Sequence, residues 1–135
     1  MEFINEFKQN AKEYNIEKAH SILEKKEYQN QNYSLVILDR FDTRVSKIDK
    51  HKYVCPGCLQ FGEFMMTVRK KLKLSPDEAL FFYILDEKGK ANIIPRAIET
   101  MATLYKQYSI NGYMFVTYTI ESTFGHHHMD TIKFL

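Results

Sequence analysis

The sequence predicts an α+β fold in which one mixed sheet packs against a single main helix. Four segments are rich in β-branched, aliphatic and aromatic residues, as strands are. A fifth segment, between the second and third of these, has apolar residues at helical spacing. The 135 residues are 44% hydrophobic and 27% charged, which is the size and composition of one globular domain.

Two helices are predicted before the first strand. Residues 2–28 contain neither Pro nor Gly, and apolar residues recur there every three or four positions. The two helical faces consist of Phe3, Phe7, Ala11 and Tyr14, and of Ile16, Ala19, Ile22 and Leu23. The polar string Gln29–Asn32 ends helical character, because Asn side chains compete for backbone hydrogen bonds.

The remaining elements follow from local patterns. Residues 33–41 predict a central strand buried on both faces, and Tyr53–Cys55 predicts a short strand that Pro56-Gly57 ends. The main helix is indicated by Phe61, Phe64, Met65, Val68 and Leu72. Later segments predict a capped turn at Ser75–Glu78, a strand at Leu80–Leu85, a short helix marked by Ile98, Met101, Ala102 and Tyr105, and a last strand at Tyr113–Ile120. Without its first two helices, this order is that of a β-grasp fold.

Charge and hydropathy exclude several classes of protein. The net charge of +2 is too small for a nucleic-acid-binding protein, and Asp49 interrupts the basic set Lys47, Lys50, His51 and Lys52. Residues 79–85, the longest apolar run, are far fewer than the roughly 18 that a membrane helix needs. Because no basic and apolar leader follows Met1, a cytoplasmic protein is expected.

No motif predicts an enzyme, a metal site or a cofactor. Cys55-Pro56-Gly57-Cys58 could serve redox chemistry or supply half a zinc site, but the helix begins several residues later and no second ligand pair follows. Two reduced cysteines in a cytosolic protein are the simpler interpretation. The adjacent His126, His127 and His128 are interpreted as part of a polar tail.

Several segments in order resemble the lipid-conjugated ubiquitin-like modifiers of autophagy, the GABARAP-like family. They are Ile48–Pro56, Phe61–Phe64, Val68–Leu72, Leu74–Phe82, Gly112–Tyr118 and Glu121–Gly125. The resemblance implies a ubiquitin-like β-grasp, with a four-stranded mixed sheet wrapping one main helix, preceded by two N-terminal helices. The implied units are a helical subdomain at 1–28, a ubiquitin-like domain at 29–125 and a tail at 126–135 that processing removes.

The resemblance also implies a function without catalysis by the chain itself. A cysteine protease would cut between Gly125 and His126, after the Phe124-Gly125 terminus. Activating and conjugating enzymes would then join the Gly125 carboxylate to phosphatidylethanolamine, whose two acyl chains suffice for stable anchoring. The lipidated form would lie on the autophagosome or a related organelle membrane and recruit cargo receptors.

Cargo receptors of this family carry a short peptide with one aromatic and one aliphatic anchor, which adds a strand at Lys52–Cys55. By position, the aromatic pocket would comprise Lys52, Val54 and Tyr113. The aliphatic pocket would comprise Tyr53, Cys55, Pro56, Leu59 and Phe64. Arg69 and Lys52 would contact acidic residues that flank the peptide.

Departures from the family pattern leave alternatives open. Gln29–Ser34 stands where the family has Tyr-Pro-x-Arg-x-Pro, residues 86–91 lengthen a loop, and Thr67 replaces an aliphatic residue. A peptide-binding adaptor that is never conjugated, a Cys-x-x-Cys redox protein and conjugation to a protein lysine remain alternatives.

Overall fold

The computed structural model describes residues 15–25 and 32–122. The first predicted helix and the tail lie outside these ranges, as do Phe124 and Gly125. The described elements are α1 (Ile16–Leu23), β1 (Tyr33–Arg40), β2 (Lys52–Pro56), α2 (Phe61–Leu72), β3 (Glu78–Ile84), α3 (Met101–Tyr108) and β4 (Met114–Ser122).

The four strands form one mixed sheet in the order β2-β1-β4-β3. β1 and β4 are parallel, whereas β2 and β3 pair antiparallel with β1 and β4 respectively. β1 is therefore central, and Ser34 through Asp39 are all buried, as the continuous apolar run predicts. The prediction of a four-stranded mixed sheet with one main helix is confirmed.

Opposite faces of the sheet carry two separate apolar clusters. The larger cluster lies against α2 and α3 and includes Val36, Phe61, Phe64, Tyr118 and other buried residues. The smaller cluster lies against α1, where Ala19 packs with Leu35, Ile37 and Tyr113. Because neighbours in a strand point to opposite faces, β1 supplies both clusters from alternate positions.

Local sequence signals set the helix boundaries. The Asn15 side chain accepts a hydrogen bond from the Lys18 N–H at 2.9 Å and so caps α1. α2 ends at Leu72 and is followed by the capping residue Lys73, which has a left-handed φ of 53°; three basic residues occupy its last turn.

Two predicted boundaries are wrong. Ile98 precedes α3 and is 64% exposed, because Thr100 caps the helix and only Met101 and Leu104 are buried in it. Ser75–Glu78 forms the predicted capped turn, in which the Glu78 N–H donates to the Ser75 carbonyl at 3.1 Å and the Ser75 N–H donates to the Glu78 carboxylate at 3.0 Å, but the strand after it begins earlier than predicted. Glu78 already pairs with Ser122, so β3 begins two residues before the predicted strand.

Candidate functional site

The candidate site lies along β2, at one edge of the sheet. Among the described strands only β1 pairs with β2, so the other side of β2 has no strand neighbour in the described part of the chain. Such an edge offers backbone N–H and C=O groups to an added strand.

Alternation along β2 separates the two predicted pockets. Lys52 is opposite Ile37 and Val54 is opposite Leu35, so both side chains lie on the α1 face of the sheet. Val54 packs against the smaller cluster, which also contains Tyr113. The three residues predicted for the aromatic pocket are thus brought to one face.

The residues predicted for the aliphatic pocket lie mainly on the α2 face. Tyr53 is opposite Val36, and its ring meets the Phe64 ring edge-on at a centroid distance of 5.6 Å. Cys55 is 5% exposed and belongs to the larger cluster, against which Leu59 packs. Pro56 ends the strand and is exposed.

Burial controls the chemistry of the titratable groups here. It raises the pKa of the Cys55 thiol to about 12, so the group stays protonated at neutral pH and contributes an apolar wall. Burial is also the main reason why the pKa of Tyr53 is raised, and the Tyr53 hydroxyl is buried without a hydrogen-bond partner. Cys58 is exposed and forms no disulfide.

The turn after β2 is fixed by contacts with its neighbours. The Gly57 N–H donates to the Asn32 carbonyl at 2.6 Å, and the Gly57 carbonyl accepts from the Ala102 N–H at 3.0 Å. A Cβ at Gly57 would stand 2.6 Å from the Asn32 oxygen, so glycine is required by this close approach. The Met101 N–H donates to the Leu59 carbonyl at 2.7 Å, which ties Leu59 to the start of α3.

Arg69 lies in the last turn of α2. Its guanidinium donates to the Ser75 carbonyl at 3.0 Å. It also lines a pocket of about 150 Å³ with Leu80 and Phe82, beside β3. The role of Arg69 as a contact for acidic residues stays a prediction.

Two α1 residues adjoin the candidate site without having been assigned to it from the sequence. Ile22 and Leu23 are half-buried against the cluster that holds Val54 and Tyr113. Their helical spacing indicated an apolar face, but no local signal indicated that this face packs beside β2. Ser34 is buried opposite Cys55 and therefore lies on the face away from α1.

The described ranges contain neither a metal-ligating cluster nor a membrane-spanning helix. No group of three His, Cys, Asp or Glu residues within 15–25 and 32–122 is placed to hold a metal ion. No helix of the same residues is long and apolar enough to cross a bilayer.

The mixed sheet, its main helix and its parallel central strands define a ubiquitin-like protein. A family model described as "Autophagy protein Atg8 ubiquitin like" matches residues 16–125. The chain belongs to this family, as its resemblance to the ubiquitin-like modifiers of autophagy predicted.

Individual relatives agree with this assignment. Autophagy-related protein 8 of Schizosaccharomyces pombe is 39% identical over 92 residues, which cover 67% of this chain and 71% of the relative. Autophagy-related protein 8A of rice, Oryza sativa, is 37% identical over 92 residues, covering 67% and 72%.

Solved structures share the fold. Trypanosoma brucei ATG8 superposes with a TM-score of 0.64 at 23% identity, covering 82% of this chain and 88% of that one. Plasmodium falciparum Atg8, in complex with a Plasmodium falciparum Atg3 peptide, superposes with a TM-score of 0.63 at 22% identity, covering 79% and 88%.

Proposed function

We propose that the protein is a ubiquitin-like modifier that is cut after Gly125 and conjugated to phosphatidylethanolamine during autophagosome formation. The observation that carries the proposal is the extent of the family match, which begins at Ile16 and stops at Gly125. The ten residues from His126 onward fall outside it. Gly125 is also the residue at which cleavage is expected from the sequence.

The proposed chemistry is performed by partner enzymes. A cysteine protease hydrolyses the peptide bond between Gly125 and His126. An activating enzyme adenylates the new carboxylate with ATP, releasing pyrophosphate, and a cysteine thiol of that enzyme then displaces AMP to form a thioester. The acyl group passes to a thiol of the conjugating enzyme and then to the amine of phosphatidylethanolamine, where an amide forms and the thiol is released. The Plasmodium falciparum Atg8 complex with an Atg3 peptide supports a conjugating-enzyme partner for this chain as well.

Recruitment of cargo receptors is proposed to use the edge of β2. An extended peptide would bond to the backbone of this strand, its aromatic anchor on the Val54 side and its aliphatic anchor on the Phe64 side. The alternation of Lys52 to Cys55 across the sheet supports this arrangement, because one added strand reaches both faces. The exposed Lys47, Lys50 and Lys52 suit acidic residues beside the anchors.

Processing and conjugation are tested by intact mass. Wild type and Gly125→Ala are purified from the protein's own cells, in membrane and soluble fractions. We expect a wild-type species that ends at Gly125 and carries one phosphatidylethanolamine, and we expect it to be absent from the variant. Gly89→Ala, a glycine change in the turn after β3, should be cut and lipidated as wild type is. If all wild-type molecules retain Leu135 and stay soluble, the protein is a peptide-binding adaptor instead.

The groove is tested by peptide affinity. Val54→Arg places a long cation where the aromatic anchor would sit, and losing such an anchor costs about 2 kcal/mol, or about 30-fold in Kd. Ile94→Arg is the matched control, since Ile94 is 73% exposed and adjoins β3 at the other edge of the sheet. Equal affinities for the two variants, measured by calorimetry, would exclude the β2 edge.

A further inference from the structure

The last residues of β4 have a strand neighbour on one side only. β3 pairs with β4 as far as Ser122. On the other side β1 ends at Arg40, opposite Tyr118, and the Phe41 N–H donates to the Tyr118 carbonyl at 2.7 Å. Beyond Tyr118, no strand of the described ranges pairs with β4 on the β1 side.

The Arg44 side chain extends along this unpaired stretch. Its Nη2 donates to Thr119 Oγ1 at 3.2 Å, and its Nη1 donates to Glu121 Oε1 at 3.4 Å. Asp42 holds the guanidinium in place, with Nε and Nη2 of Arg44 at 2.8 and 2.7 Å from Asp42 Oδ2. The turn after β1 is thereby joined to the end of β4 by a side chain instead of a strand.

The Glu121 carboxylate depends on this contact. Its side chain is 12% exposed, its Oε2 is buried without a hydrogen-bond partner, and its Oε1 is paired with Arg44 Nη1 at 3.4 Å. An enclosed carboxylate without a cation is costly. Without Arg44, the carboxylate regains water most readily if the end of β4 separates from β3.

Gly125 follows the end of β4 closely, so the direction of the last β4 residues limits where Gly125 can be placed. Gly125 is three positions beyond Ser122, so the covalent chain allows at most about 10 Å between their Cα atoms. A protease that binds an extended tail cannot bind productively those molecules in which this stretch is frayed. Its apparent affinity for the protein is therefore the intrinsic affinity multiplied by the fraction of chains whose strand end is paired.

We propose that Arg44 is a positioning residue for processing: it keeps the end of β4 paired and so presents Gly125 to the processing enzyme. This inference rests on the proposed function. In this role Arg44 holds the strand and does not touch a reacting atom. Its replacement should therefore raise KM and make the end of β4 less ordered, while kcat stays unchanged.

The test combines amide exchange with cleavage kinetics on the full chain, using the family's processing cysteine protease. For Arg44→Ala we expect exchange at Thr119–Ser122 to accelerate about five- to tenfold. KM should rise at constant kcat by a smaller factor, because KM follows the fraction of chains whose strand end is paired and not the opening equilibrium itself. Adding Glu121→Gln removes the uncompensated charge and should restore both quantities most of the way. Arg96→Ala, which removes an arginine from the loop before α3, should match wild type.

Three results would overturn this inference alone. They are unchanged exchange in Arg44→Ala, faster exchange with a wild-type KM, and a Glu121→Gln single variant that raises KM as much as Arg44→Ala. The last result would mean that Glu121 contacts the protease directly. A wild-type chain that the protease does not cut after Gly125 would overturn the proposed function, and this inference with it.

Discussion

Gly112 is predicted to control the docking of α1, and Gly112→Ala is the change that tests it. Asn111 and Gly112, the central residues of the turn before β4, both have positive φ, of 53° and 87°. Ile110 and Tyr113 bridge across them, as in the Asn-Gly turns that favour left-handed residues. A Cβ at Gly112 would lie 2.5 Å from the Ala19 Cβ, so α1 must move away to accept it.

The expected destabilisation has two parts. Alanine in the left-handed region costs about 1–2 kcal/mol. The overlap with Ala19 costs about 1–3 kcal/mol more, as overpacking of a close contact does. For a domain of this size, about 2–5 kcal/mol corresponds to a fall in Tm of about 8–20 °C. Because α1 packs beside Val54 and Tyr113, peptide affinity at the β2 edge should fall as well.

The assay is a double-mutant cycle followed by thermal and urea unfolding. Gly89→Ala carries the same backbone strain, since the φ of Gly89 is 80°, but Gly89 lies in the turn after β3 rather than against α1. It should lose only about 1–2 kcal/mol. In the double variant, Ala19→Gly removes the clashing Cβ and should restore about 1 kcal/mol or more of the unfolding free energy that Gly112→Ala loses. The reasoning is refuted if Gly112→Ala and Gly89→Ala are equally stable and if the free-energy losses of Ala19→Gly and Gly112→Ala simply add in the double variant.

Two further predictions concern groups inside the larger cluster. Tyr118 is fully buried, and its hydroxyl accepts from the Ile48 N–H and donates to the Ser46 carbonyl, both at 2.8 Å. Tyr118→Phe should therefore cost about 1–3 kcal/mol in urea unfolding, and a loss below about 0.5 kcal/mol would contradict this account. Iodoacetamide at pH 8 should modify Cys58 but spare Cys55, whose pKa burial raises to about 12. Mass spectrometry should find one label on the native chain and two in denaturant, and equal rates would show that Cys55 is accessible.

The sequence predicted those elements whose pattern lies within a single segment of the chain. The apolar run of β1 and the helical spacing from Phe61 to Leu72 each predicted an observed element, because hydrophobic periodicity is a local property. The helix before β4 was also predicted, but its start was placed too early. Ile98 has the right spacing for a helix face, and only the Thr100 cap and the packing of Met101 exclude it.

Candidate-site residues were predictable only in part. The assignment of Lys52, Val54 and Tyr53 came from family resemblance, and their alternation across the sheet agrees with the two faces assigned to them. The role given to Arg69 also came from that resemblance and stays a prediction, since the contacts of Arg69 in the structure are with the Ser75 carbonyl and the pocket beside β3. Ile22 and Leu23 were missed since nothing local indicates which sheet edge a helix will cover.

Periodicity and ordered motifs in the sequence were enough to predict the main helix, the four strands, the ubiquitin-like class and the residue where processing is expected. Only the tertiary structure showed that Arg44 meets Glu121, 77 positions away, and that Gly112 lies under Ala19. Such contacts depend on strand order and on where β1 and β4 end. The physical reason is that burial and electrostatic compensation act between residues that only the folded chain brings together.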